Sequence, residues 1–171
     1  FGQSLFINLP GSKSGSLPSP NSLSDSNQFS IGYGYGLSVS LMHLVNAYTI
    51  LANVGSQTQL KYITNTDSDD KQQILDRQIS KTILDMMKDV VHSPDGTGKK
   101  ASVSGYTVYG KTGTVRKIKN GEYKKNLHNA LFIGILGDPN PKYVAAVIIR
   151  EPKDREGSGG FHAAPVFGEF L

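Results

Sequence analysis

The stretch Gly105-Tyr-Thr-Val-Tyr-Gly-Lys-Thr-Gly-Thr114 constrains this chain more than any other. It puts a run of strand formers, one cation, threonine hydroxyls and permissive glycines into ten residues. Two chemistries match it by letter. From Gly105 to Thr112 it follows G-x-x-x-x-G-K-[ST], the phosphate-cradling loop. From Lys111 to Thr114 it reads Lys-Thr-Gly-Thr, an element of serine acyl-transfer sites.

Context separates the two. A phosphate loop needs an apolar strand before its first glycine, a flexible turn, and a helix starting at the lysine so that backbone amides face the phosphate. Here Lys99-Lys-Ala-Ser-Val-Ser104 is polar, and Tyr106, Thr107, Val108 and Tyr109 are strong strand formers. The supposed loop is itself a strand. Beyond Lys111, Gly113 and the β-branched Thr114 and Val115 oppose a helix start, and Asn120-Gly121 is the strongest short hairpin signal. Nucleotide binding is therefore the weaker reading.

An acyl-transfer wall suits the same residues. Gly113 removes a side chain that would hold another backbone off, so a substrate peptide can lie alongside as an added strand. Thr112 and Thr114 can donate hydroxyl protons to a carboxylate, with the charge of Lys111 beside them. The Thr114 amide can point at a developing oxyanion. The plain alternative is an ordinary strand leading into a hairpin.

At 171 residues and 37% apolar, the chain is long enough to bury a core and fits one globular domain or a large piece of one. The net charge of +4 is spread over Lys99-Lys100, Arg116 to Lys125 and Arg150 to Arg155. This reads as solvated hairpin charge, not the dense basic face that nucleic acid requires. The absence of cysteine excludes a disulfide framework and a thiol nucleophile. No run approaches the roughly 18 apolar residues of a membrane span, and the start carries no signal peptide. Phe1 is not an initiator, and both ends fall in mid-pattern. A piece of a longer polypeptide is expected, with any anchoring segment upstream.

Taken in order, residues 1–30 are rich in Ser, Pro, Gly and Asn and predict a loop with little regular structure. The glycines of Gly32-Tyr-Gly-Tyr-Gly36 are expected to allow close backbone packing, with Tyr33 and Tyr35 as core or wall residues. From 38 to 55, Leu41, Leu44, Val45, Tyr48, Leu51 and Ala52 recur at helical steps, capped by Ser38 or Ser40 and stopped by Gly55. A short strand is expected over Gln59 to Thr64. Ser68-Asp-Asp-Lys71 and Ser19-Pro-Asn21 match S-x-x-K and S-x-N by letter, but their acidic and proline-rich settings argue for accident.

A second helix is predicted over 77–92, capped by Asp76, with Ile79, Ile83, Met86, Met87 and Val90 on its buried side. Met86 and Met87 are taken as core filler. Ser93-Pro-Asp-Gly-Thr-Gly98 is a turn. Residues 104–150 predict an antiparallel sheet of three strands, and the apolar run Tyr143 to Ile149 predicts a strand covered on both faces. A closing helix is expected over 161–171. The fold class is thus α+β, an antiparallel sheet with helices packed on it. His43, His92, His128 and His162 lie in unrelated settings without ligand spacing, so neither a metal nor a cofactor is expected. Asp69-Asp70 and Glu151 make no persuasive acid/base pair.

Several blocks in order carry a resemblance: Gly34-Tyr-Gly-Leu37 opening a helix that ends in Ala-Asn-Val-Gly55, then Tyr109-Gly-Lys-Thr-Gly-Thr114, Ala145 to Arg150, Gly159-Gly160 and Ala164-Pro-Val-Phe167. Together they resemble the C-terminal half of the transpeptidase domain of class B penicillin-binding proteins, cell-division (septal) type. The resemblance covers essentially the whole chain. It implies the penicillin-binding/serine β-lactamase-like fold and a D,D-transpeptidase that cross-links peptidoglycan stem peptides through a serine acyl-enzyme and is inhibited by β-lactams. It further implies a place at the periplasmic face of the bacterial inner membrane, anchored upstream, among membrane proteins of the divisome.

In such a protein Lys111 would sit near the active-site hydroxyls, Thr112 and Thr114 would hold the substrate or β-lactam carboxylate, and the Thr114 amide would form half the oxyanion hole. Gly113 would leave room for the substrate backbone, Tyr35 would line the groove, and Arg116 is a candidate for its rim. The departures are as telling. The family's nucleophilic serine and its S-x-N element precede the region matched by Phe1, and neither Ser68 nor Ser19 stands in their place. His128 and Gly157-Ser158 replace the aromatic wall of many relatives. Two readings follow: one part of a working enzyme whose other part, the remaining half of the domain, lies upstream or in a second polypeptide, or an inactive scaffold-like relative that binds division partners.

Overall fold

β4 (Glu122–Gly137) is the middle strand of a three-stranded antiparallel sheet ordered β3-β4-β5, with β3 spanning Thr107–Lys119 and β5 Pro141–Arg150. In the computed structural model, residues 1–5, 10–58, 60, 71–119, 122–137, 140–153 and 157–171 are described. The register pairs Lys111 with Ile133 and Thr114 with Ala130, and β4 continues the ladder by pairing Phe132 with Val147. Asn120-Gly121 lies outside the described residues, but the Lys119–Glu122 pair flanks it as a hairpin requires.

Side chains alternate across the sheet. On one face Val108, Phe132 and Leu136 bury against Ala163, Ala164 and Phe167 of α4 (Gly159–Phe170), with the Phe132 and Phe167 rings edge to face at 4.9 Å. On the other, Ile135 and Tyr109 pack with Tyr48, Leu51 and Ala52 of α2 (Leu41–Ala52). α3 (Arg77–His92) lies along β3 and feeds both clusters, Val91 into the first and Leu84 and Met87 into the second. Each fully buried Val, Leu, Ile, Phe or Met among these stabilises by about 1.5–3 kcal/mol, before conformational entropy is counted. Gly110 and Gly134 are paired because Phe132 crosses them. A Cβ on Gly110 would stand 2.4 Å from Phe132 Cζ.

The helices obey local rules. Asp76 caps α3 by accepting from the Gln78 and Ile79 amides, as predicted. Ser40, not Ser38, caps α2, and Ser40 Oγ lies 2.6 Å from His43 Nδ1 while His43 Nε2 donates to the Gln3 carbonyl. His43 is a satisfied core histidine.

Several expectations need correction. The span read as loop, 1–30, contains α1 (Asp25–Gly32), capped by Ser24 and burying no side chain. Its composition therefore carries no apolar period to find. The glycines at 34 and 36 make a turn of positive φ, +95° and +75°, and do not serve close packing; Tyr33 is 69% exposed. The α3 stripe is Ser80, Leu84, Met87 and Val91, while Ile79 and Met86 face solvent, Met86 at 64%. α2 is shorter than 38–55, and α4 begins two residues before 161. β5 is an edge strand in this chain, with Tyr143 58% exposed, and the strand buried on both faces is β4. The strand expected at Gln59 to Thr64 lies almost wholly outside the described residues, as does Ser68. The short pair actually seen is β1 (Ser56–Gln57) with β2 (Gln72–Gln73).

Candidate active site

Lys111 to Thr114 lie in the middle of β3, in extended backbone, on the edge not paired with β4. A helix does not start at Lys111, which rules out the phosphate-loop reading. The orientation of the edge follows from one contact. Val108 N–H donates 3.1 Å to His92 Nε2, so it points away from β4. In an antiparallel ladder alternate residues point the same way, so the amides of Gly110, Thr112 and Thr114 face outward too. The carbonyl of Thr112 follows its amide, and Lys111 Nζ donates to that carbonyl at 2.7 Å.

Cation and hydroxyls therefore reach this edge from opposite faces of the sheet. Lys111 shares the α2 face with Tyr109 and Gly113. Thr112, Thr114 and Arg116 share the α4 face with Phe132, Ala130 and His128, their cross-strand partners. Lys111, Thr114 and Arg116 are exposed and Thr112 is partly buried. Arg116 thus lies two residues past Thr114 on the same side. Gly113 is not crowded within the sheet, since a Cβ there would make only ordinary contacts with Leu131 from 3.4 Å.

Both hydroxyls already have a partner within the chain. Thr112 Oγ1 is 2.9 Å from Thr97 Oγ1, and Thr114 Oγ1 accepts from the Gly159 amide at the start of α4, at 3.3 Å. Two glycines allow this approach. A Cβ on Gly159 would lie 2.2 Å from Leu131 O and 2.5 Å from Gly113 O, and one on Gly160 would lie 2.0 Å from Thr97 O. Sequence reasoning missed Thr97 and used Gly159 only as part of a resemblance. No local signal marks either, because their partners are 15 and 45 residues away.

Tyr35 lies in the turn after α1, where its ring stacks edge to face with that of Tyr33 at 5.7 Å. Ser19 precedes a 3-10 turn at Pro20–Ser22. Among the described residues no cluster of His, Asp and Glu could hold a metal ion, and no helix is long and apolar enough to cross a membrane. His92 bonds the Val108 amide, His162 meets the Phe161 ring at 5.1 Å, and His128 is buried with Nε2 lacking a partner.

Comparison with known proteins gives one answer. The family model described as the penicillin binding protein transpeptidase domain matches residues 1–171. The chain is 33% identical over 171 residues to a protein of Pseudomonas aeruginosa named as a probable peptidoglycan D,D-transpeptidase, PbpC; the match covers 100% of this chain and 30% of that one. It superposes on the transpeptidase domain of Burkholderia pseudomallei penicillin-binding protein 3 with a TM-score of 0.87 and 34% identity, covering 98% of this chain and 51% of that one. Penicillin binding protein 3 of Mycobacterium tuberculosis, solved in complex with aztreonam, gives a TM-score of 0.87 at 30% identity, over 98% of this chain and 42% of that one. The chain thus spans under a third of the curated relative and about half of the solved domain. Sequence match, fold and extended Lys-Thr-Gly-Thr edge agree, and the chain belongs to the penicillin binding protein transpeptidase domain family.

Proposed function

We propose that this chain forms one wall of the active site of a peptidoglycan D,D-transpeptidase, with the nucleophilic serine supplied by the remaining half of the domain, upstream in the same polypeptide. The observation that carries the reading is the outward-facing edge at Thr112 to Thr114, where amides, two hydroxyls and the Lys111 ammonium are presented together. An extended stem peptide or β-lactam laid along that edge meets backbone donors and acceptors as an added strand. Its carboxylate takes hydroxyl protons from Thr112 and Thr114, and the Thr114 amide faces the carbonyl oxygen that becomes the oxyanion.

Lys111 supplies positive charge beside the reacting hydroxyls, and Arg116 sits at the rim. Gly113, which carries no side chain, leaves the α2 side of the edge open to substrate. Tyr35 lines the same groove in this reading, a role that rests on the family resemblance. The septal role, the periplasmic face of the inner membrane and divisome partners belong to the same proposal and rest on the family resemblance.

The test is covalent labelling with a fluorescent penicillin. The 171 residues alone should stay unlabelled, while the full-length protein should label at a serine outside this chain. Thr114→Val in the full-length protein, which removes the hydroxyl but keeps the amide, should cut the labelling rate by about 10–10², the cost of one hydrogen bond to a charged carboxylate. Labelling of the isolated chain, or a full-length protein inert to penicillin, would overturn the reading.

A further inference from the structure

We propose that Thr97, in the turn between α3 and β3, is a positioning residue that sets the direction of the Thr112 hydroxyl proton and thereby tunes recognition of a carboxylate-bearing substrate. The inference rests on the reading of the β3 edge as the carboxylate-binding wall. A threonine hydroxyl has one proton and two acceptor positions. Thr114 Oγ1 already accepts from Gly159 N–H, which leaves its proton to point outward. The pair Thr97 Oγ1 and Thr112 Oγ1, 2.9 Å apart, can be arranged either way in isolation. An incoming carboxylate breaks that symmetry. The charge-assisted bond from Thr112 to the carboxylate is the stronger use of the Thr112 proton, so Thr97 becomes the donor to Thr112. The two strand hydroxyls then present parallel donors, each backed by an internal partner.

The turn that holds Thr97 is fixed for this task. Gly98 N donates to Val90 O at 2.8 Å and Gly96 N to Ser93 O at 3.0 Å, tying the turn to the end of α3. A Cβ on Gly96 would lie 2.4 Å from Val90 O, and Gly160 admits the Thr97 carbonyl where any side chain would collide. Thr97 itself is exposed, so its side chain contributes little burial and its hydroxyl is its principal contact with the site.

The experiment compares Thr97→Val, which keeps shape and removes the hydroxyl, with Thr97→Ser, which keeps the hydroxyl, in the full-length protein. Each is acylated by a penicillin with a free carboxylate and by its methyl ester. Thr97→Val should slow acylation by the free acid about tenfold, a typical cost for one hydrogen bond supporting a charged partner. The ester rate should stay unchanged, and Thr97→Ser should behave as the wild type. Equal rates for Thr97→Val and wild type with the free acid, or an equal loss with both probes, would overturn the assignment. A second measurement separates it from the enzyme reading: titration with N-acetyl-D-alanyl-D-alanine, followed by the amide resonances of Thr112 and Thr114. Shifts in the wild type that vanish in Thr97→Val support the positioning role even if no acyl-enzyme forms, and shifts identical in both, or absent in the wild type, refute it.

Discussion

Gly159→Ala is the most exacting test of how the site is built. The added methyl would sit 2.2 Å from Leu131 O, 2.5 Å from Gly113 O and 2.8 Å from Gly113 N. All three are backbone atoms, and Gly113 and Leu131 are register partners, so neither can move without opening the ladder beside Thr114. The start of α4 must retreat instead. Overpacking of this kind costs about 1–3 kcal/mol, and losing the Gly159–Thr114 hydrogen bond adds about 1 kcal/mol. A total of about 2–4 kcal/mol corresponds to a fall in Tm of about 5–12 °C for a domain of this size.

The control is the same chemical change at Gly32, the last residue of α1, which has nothing within 4 Å of an added Cβ and no positive φ. Gly32→Ala should be neutral or stabilising by about 0.5–1 kcal/mol, through the unfolded chain. Thermal unfolding of both variants checks the sign, and penicillin labelling of the full-length protein should fall for Gly159→Ala alone. Equal melting of Gly159→Ala and wild type, or a Gly32→Ala variant as harmful as Gly159→Ala, would refute this reasoning.

Burial pushes the Tyr48 hydroxyl up to about 12 from its ordinary value of 10. The folded state therefore keeps a proton that the unfolded chain loses, and the stability this represents is intact below pH 10 and lost as pH rises toward 12. Wild type should lose roughly 3 kcal/mol more than Tyr48→Phe across that window, read by urea unfolding at each pH. Val54 adopts φ +52°, a conformation that costs a β-branched residue about 1–2 kcal/mol, so Val54→Gly should raise the urea midpoint despite the lost side chain. Asp76→Ala removes the acceptor for two α3 amides and should cost about 1 kcal/mol by the same assay, with Asp76→Asn keeping most of it.

What could be read from the chain follows the range of the interaction that decides it. α3 was legible to the residue because Asp76, its apolar steps and the Ser93-Pro94 stop are all local. Its buried stripe was misplaced by one position because the helix lies along the sheet edge and feeds both cores, which rotates the buried face. α1 was missed because a helix that buries nothing leaves no period behind. Lys111, Thr112 and Thr114 could be singled out because they are close in sequence, and the structure sets them along one outward edge of β3. Tyr35 was grouped with them by resemblance alone, because no local pattern ties the turn after α1 to β3.

The sequence alone determined that the Lys-Thr-Gly-Thr segment is a strand, because β-branched and aromatic residues disfavour a helix there and Asn120-Gly121 is a hairpin signal beyond it. Only the tertiary structure decided what that strand presents at its open edge. Which amides face outward depends on the pairing with β4 and on His92 taking the Val108 N–H. Which hydroxyl protons are left to donate depends on Thr97 and Gly159, brought close by a loop and a helix distant in sequence. The physical reason is that backbone hydrogen bonds and hydroxyl partners are shared between segments, and no local pattern of side chains records who shares with whom.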